Sequence, residues 1–229
     1  MIGIIGAMQV EVDTLMSAMQ DVAIETIAST KFFSGKLGNK QVVVVCCGIG
    51  KVNAAMTASF LISKYAVEMI VNIGVAGGLL SSLGVGDIVV SSHCVQYDYQ
   101  ADLVNSPTQH NLDRLYLTYL PCDQVLVQQL HAAVTATNSR CTVGTVATGD
   151  KFVADKTEAD EIHRKFGAIA IEMESGAIAQ VCTLSKVRFA TLRTISDSAN
   201  DEAQFDFAQN MKVTAQKSCN VLLKWLEML

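Results

Sequence analysis

The stretch EMIVNIGVAGGLLSSLGVGDIVVSS, residues 68–92, decides the fold class. The 18 residues between Glu68 and Asp87 carry no charge, which is the length of a membrane-spanning helix. Asn72, Ser81, Ser82 and five glycines inside it would leave polar and backbone groups facing lipid. The segment therefore reads as a buried strand over Glu68–Ile73, a glycine-rich loop, and a second strand over Asp87–Ser92. A strand apolar on both faces needs cover on both faces, as in α/β folds.

Working outward, Met1–Ala7 is a short apolar run, and Val12, Leu15, Met16 and Met19 recur at helical spacing. Lys31–Leu37 and Gln41–Cys47 are β-rich runs joined by Gly38-Asn39, a hairpin signal. Gly50–Tyr65 reads as a helix. Downstream, a helix opening at Pro121 runs to about Ala136, and strand Cys141–Ala147, helix Thr157–Phe166 and strand Ile169–Ile171 follow. A helix from about Glu174, a strand over Val187–Ile195 and a last helix from about Phe207 complete the chain. Met211, Ala215, Cys219, Leu222 and Leu226 make one apolar stripe on that helix. This alternation predicts a single α/β domain over residues 1–229, a three-layer sandwich with a central mixed, largely parallel β-sheet flanked by helices. Only Tyr97–Pro121 lacks a pattern; a loop this long reads as a lid, a binding loop or an interface arm.

The 229 residues are 50% hydrophobic and 17% charged with 2 prolines, which excludes disordered and collagen-like chains. A net charge of -5 argues against a nucleic-acid partner, since a phosphate-backbone binder needs clustered Lys and Arg. The mean hydropathy of +0.32 leaves apolar surface for a subunit interface, so a homodimer is expected. No basic leader precedes the first apolar run, so a cytoplasmic protein with no membrane partner is expected. Seven cysteines without a CxxC pair and four scattered histidines give neither a disulfide framework nor a metal site, and no cofactor is expected.

Three glycine clusters follow apolar strands, at Gly48-Ile49-Gly50, Gly74–Gly78 and Gly149. The first lacks the glycine and the Ser or Thr of a P-loop, and Gly3-Ile4-Ile5-Gly6 is not a dinucleotide fingerprint. No GxSxG elbow is present, which disfavours serine hydrolase chemistry. Charges instead mark strand ends: Glu11 after the first strand, Glu172 and Glu174 after the Ile169 strand, Arg193 and Asp197 on the Val187 strand. Singly, Asp197 also reads as a turn or cap residue, Glu174 as a first-turn acid, and Glu11 as an exposed helix residue. Together, acids and an arginine at strand carboxyl ends suit acid/base hydrolysis, with one carboxyl protonating a leaving group and another activating water.

The segments GIIGAMQVEVDTL, CCGIGKVNAA, NIGVAGGL, GVGDIVVS, TGDKFV, AIEMESGAIAQ and TLRTISDSA closely resemble the bacterial 5′-methylthioadenosine/S-adenosylhomocysteine nucleosidases of the nucleoside phosphorylase superfamily, in order along nearly the whole chain. The resemblance implies an adenine nucleoside as substrate. By it, Asp197 protonates purine nitrogen-7, Glu11 takes a proton from the attacking water, and Arg193 orients both Glu11 and the water. Glu174 accepts hydrogen bonds from the ribose hydroxyls, Met173 packs on the sugar, and Phe152 stacks on adenine with Val153 beside it. Met8, Ile49, Val75, Glu172 and Phe205 complete the expected substrate contacts. Two departures stand out: Val75 replaces the serine of the family's GSAGG motif, and QYDYQADLVNSPTQHN does not match the family's loop. Two other readings remain open here, a phosphate-dependent phosphorylase and a weakly catalytic nucleoside sensor.

Overall fold

The computed structural model describes residues 1–99 and 119–229, so most of the Tyr97–Pro121 loop lies outside the described residues. The first half of the chain contributes β1 (Ile2–Gly6), α1 (Asp13–Ala18), β2 (Gln20–Ile27), β3 (Thr30–Leu37), β4 (Lys40–Cys46), α2 (Lys51–Tyr65), β5 (Met69–Gly78) and β6 (Ile88–Gln96). The second half contributes β7 (Tyr119–Pro121), α3 (Gln124–Ala136), β8 (Cys141–Thr148), α4 (Lys156–Phe166), β9 (Ala168–Glu172), α5 (Ser175–Ser185), β10 (Arg188–Asp197) and α6 (Ala203–Met228).

The strands form one mixed sheet in the order β10-β6-β8-β9-β5-β1-β4-β3-β2, with β7 on β6 and β10 pairing back onto β5. Five strands thus close into a ring, and the other four of the main path extend from it as an open sheet. Parallel pairing runs through β4-β1-β5-β10 and β6-β8-β9, and the remaining pairs are antiparallel, so the two kinds are equal in number.

Strand β5 makes this closure possible because it changes partner along one edge. Its first half pairs with β1, ending at Ile5 opposite Asn72, and its end pairs with β9, from Gly77 opposite Ile171. Between those points the edge is open at the carboxyl end of β1, which is the kind of switch point where α/β sheets admit ligands.

Alternation on β10 shows the layering directly. Thr191 Oγ1 lies 3.1 Å from Ser175 Oγ at the head of α5, while Thr194 Oγ1 shares a hydrogen bond with Ser218 Oγ of α6 at 2.7 Å. Odd and even positions of a strand face opposite sides, so α5 and α6 cover opposite faces and the three-layer arrangement is borne out. Trp225, Leu222 and Cys219 of α6 are buried in the main core, as the stripe on the last helix implies.

The uncharged window of residues 69–86 is β5 and the loop after it, and among the described residues no helix is long and apolar enough to cross a membrane. Some boundaries differ from expectation. Pro121 ends β7 rather than opening a helix; α3 begins at Gln124, capped by Asp123, whose carboxylate accepts from Leu126 N at 2.9 Å. Strand β2 has no counterpart in the sequence reading, because its residues are exposed on both faces and show no alternation.

Candidate active site

A cavity of about 360 Å³ opens at the β5 switch point. Its walls are mostly apolar side chains, and its polar groups stand at the ends of β1, β9 and β10.

Glu11 sits one turn beyond β1, in a short 3-10 turn over Gln9–Glu11. Its Oε2 accepts from the backbone N–H of Ala7 at 2.8 Å and of Met8 at 2.9 Å, and its Oε1 accepts from Val75 N at 3.0 Å. The close approach of β5 depends on Gly74, where a Cβ would run into both Glu11 Oε1 and Arg193 Nη1. Burial pushes the Glu11 carboxyl up from its ordinary value, and Arg193 and the three backbone donors oppose that push.

Asp197 ends β10 and is 2% exposed. Its Oδ2 accepts from Ser196 Oγ at 2.8 Å and its Oδ1 from Ala199 N at 2.9 Å. Burial raises its pKa as well, opposed only by those two hydrogen bonds, while Asp206 adds to the rise. The two acids therefore differ in kind. Glu11 has a guanidinium beside it, and Asp197 has no such partner among the described residues.

Beside Glu11 lies a buried cluster centred on Arg193. Its Nη2 donates to Asn72 Oδ1 and Glu172 Oε2, to Ser175 Oγ at 3.1 Å, and to Glu174 Oε2 at 3.5 Å. Its Nη1 reaches Val75 O at 3.4 Å. Glu174 directly precedes α5, and its Oε1 accepts from Gly50 N at 3.0 Å. Its carboxyl is pushed up first by burial and then by neighbouring Glu172. Glu172 is occupied inward: besides Arg193 it accepts from Thr148 Oγ1, from Glu174 N at 3.0 Å and from Ser175 N at 2.9 Å. It lines the cavity, yet its oxygens are spent on holding the start of α5 and Arg193.

A scan of family models matches residues 1–227 to the phosphorylase superfamily. A 5′-methylthioadenosine/S-adenosylhomocysteine nucleosidase of Staphylococcus haemolyticus is 35% identical over 230 residues, covering all of both chains. The chain belongs to the 5′-methylthioadenosine/S-adenosylhomocysteine nucleosidase family of the phosphorylase superfamily. The structure of the Streptococcus pyogenes S-adenosylhomocysteine nucleosidase in complex with 5-methylthiotubericidin superposes with a TM-score of 0.92 at 31% identity, covering 100% of this chain and 96% of that one. Futalosine hydrolase of Helicobacter pylori superposes equally well, at 0.92 and 28% identity, covering 100% and 97%.

In this nucleosidase fold the expected site residues gather around this cavity, with two outside its lining. Met8, Ile49, Val75, Phe152, Met173 and Glu174 all line it. Val153 lies in an adjoining recess of about 30 Å³ shared with Phe152 and Asp197. Phe205 is 72% exposed and outside the lining, and Phe207 takes that place, its ring 5.5 Å from the Phe152 ring in an edge-on contact. Two residues two apart on a helix point in nearly opposite directions. The start of α6, at Ala203, decides which one faces in. Sequence reasoning also passed over Asn72, Thr148 and Ser175 as participants; their signal is polarity inside, or at the ends of, runs that are otherwise apolar.

Proposed function

We propose that the chain hydrolyses the N-glycosidic bond of 5′-methylthioadenosine, S-adenosylhomocysteine and 5′-deoxyadenosine, releasing adenine and the 5′-substituted ribose. The observation that carries this reading is the pair of buried carboxyls, of which, among the described residues, only Glu11 has a cation beside it. Asp197 holds a proton and passes it to nitrogen-7 of the purine as the C–N bond breaks. Glu11 remains ionised and takes a proton from the water that attacks the anomeric carbon. Glu174 accepts hydrogen bonds from the ribose hydroxyls, Met173 packs on the sugar, and Phe152 with Phe207 covers the base. Positive charge develops on the sugar in the transition state, and the neighbouring carboxylates stabilise it as it forms.

Hydrolysis is favoured over phosphorolysis by the state of Arg193. It is the one cation among the described residues lining the cavity, and its Nη2 is engaged by Asn72 and Glu172 while its Nη1 reaches Val75 O, so the side chain is already committed to protein oxygens. Adenine release from methylthioadenosine in phosphate-free buffer, unchanged by added phosphate, is the expected result. A strict requirement for phosphate, or tight binding without turnover, would replace this reading with the phosphorylase or the sensor. The same assay with adenosylhomocysteine, 5′-deoxyadenosine and a futalosine-type nucleoside ranks the 5′ groups.

As part of the same reading the protein works as a single-domain homodimer in the cytoplasm. Ile49, which lines the cavity, and Val52, three residues on, are both exposed and suit a subunit contact, and all seven cysteines are free, as a reducing compartment favours. Sedimentation velocity at micromolar concentration checks the dimer.

A further inference from the structure

Asn72 lies in the middle of β5 between Val71 and Ile73 and is fully buried. Asparagine is disfavoured in strands, and a buried amide is costly unless each of its groups is hydrogen-bonded. Both are. Its Nδ2 donates to Ile5 O at 2.8 Å, in the strand directly alongside, and two residues further on Ala7 N holds Glu11. Its Oδ1 accepts from Arg193 Nη2 and from Ser175 Oγ at 2.9 Å. Arg193 Nε has no hydrogen-bond partner among the described residues, so the guanidinium is held through its Nη groups only.

We propose that Asn72 is a positioning residue, whose carboxamide ties the Arg193 guanidinium to the backbone of β1 and so fixes Arg193 relative to Glu11. The carboxamide bridges β10 and β1, strands that pair with β5 on its two sides rather than with each other. It is also neutral, which suits a site where Glu11, Glu172 and Glu174 already surround a single cation. The inference rests on the hydrolytic reading above, in which Glu11 must be ionised to accept the water proton.

Among the described residues, the charged and titratable groups facing Glu11 are Arg193 of β10, Glu174 at the head of α5, Cys46 and Cys47 at the end of β4, and Cys219 of α6. Arg193 is the only cation among them. Releasing it weakens the support for ionised Glu11, so more alkaline conditions are needed to keep the base unprotonated.

Asn72→Ala tests the tie, and Asn72→Val, which keeps bulk and suits a strand better, guards against a variant that fails to fold. Both are expected to lower kcat about ten- to hundredfold with KM within about threefold. Both should also move the acid limb of the kcat/KM profile upward by about half a pH unit or more. Thr214→Val removes an equally buried hydroxyl that bonds only to carbonyls of its own helix, and it should change neither quantity. A folded Val variant with kcat and acid limb like wild type overturns the proposal. So does a lower kcat with an unmoved limb, which is what a merely structural role produces.

Wild-type protein that releases no adenine from any of the nucleosides would sink the hydrolytic reading alone. The tie is then read without turnover, from the carbon-13 titration of the Glu11 carboxyl in wild type and Asn72→Val. An upward displacement supports the tie, and coincident titrations overturn it.

Discussion

The two ends of the cavity solve opposite problems with the same residue chemistry. At one end Glu11 is enclosed by strands β1, β5 and β10, with three backbone donors and a guanidinium beside it. At the other, Asp197 stands at the end of a strand with one backbone donor, one hydroxyl and, among the described residues, no cation. Burial raises both carboxyls. Hydrogen bonds work against it at both ends, and only at the Glu11 end does a positive charge do so as well, which is the contrast behind the proposed base at one end and acid at the other.

The largest expected effect comes from erasing the acid end. Asp197→Asn keeps shape and hydrogen-bond capacity but has no transferable proton, and kcat should fall by about 10²–10⁴. Near-normal turnover in that variant would remove Asp197 from the role. The stability of the same variant tests the comparison independently. With a raised pKa in the folded protein, the unfolded chain loses its proton first as pH rises past the ordinary 3.8. Wild-type stability then declines until folded Asp197 also ionises, and the penalty is constant above that point. Asn never meets this penalty. Asp197→Asn should therefore melt higher than wild type at neutral pH, by about 2–4 °C for each ~1 kcal/mol relieved, and the gap should close below pH 3.8.

The next effect is the shape of the pH profile. In the proposed mechanism, protonating Glu11 removes the base and sets the acid limb of kcat/KM, while ionising Asp197 removes the acid and sets the basic limb. Both limbs should stand above the ordinary carboxylate range, because burial raises both groups. A profile flat from pH 5 to 9 would break the assignment.

A smaller effect separates two aromatic residues on α6. Phe207→Ala should raise KM about tenfold by removing the contact with Phe152 and its part of the cavity wall, while Phe205→Ala should leave KM within about twofold. The reverse order would show that α6 rearranges when substrate binds.

That pair also shows what the sequence could express. Apolar runs, helical stripes and the Gly38-Asn39 turn are local signals, and the three-layer fold follows from them. The charges Glu11, Glu172, Glu174, Arg193 and Asp197 stood out because each interrupts an apolar setting. What was not legible depends on distant registers. Whether residue 205 or 207 faces the cavity turns on where α6 starts, and the closure of the sheet turns on β5 exchanging β1 for β9. The destination of Arg193 was hidden for a similar reason. Its nearest partners are Glu172 and Asn72 on separate strands rather than Glu11, and no local pattern announces that choice.

The smallest expected effect concerns Val75, where the resemblance placed a serine. Its side chain lines the cavity while its backbone N–H already holds Glu11 Oε1 at 3.0 Å. A hydroxyl here would add a donor to a carboxylate that already has three from the backbone, so the gain in orientation is small. Val75→Thr keeps the branched shape that suits the strand and introduces the hydroxyl at nearly constant volume. The expected change in kcat is about two- to fivefold in either direction, with KM and melting temperature close to wild type. An increase of thirtyfold or more would mean that backbone donors alone leave Glu11 poorly oriented. The Glu11 end would then be the less finished of the two, and the contrast drawn between a fully supported base and a sparsely supported acid would have to be reversed.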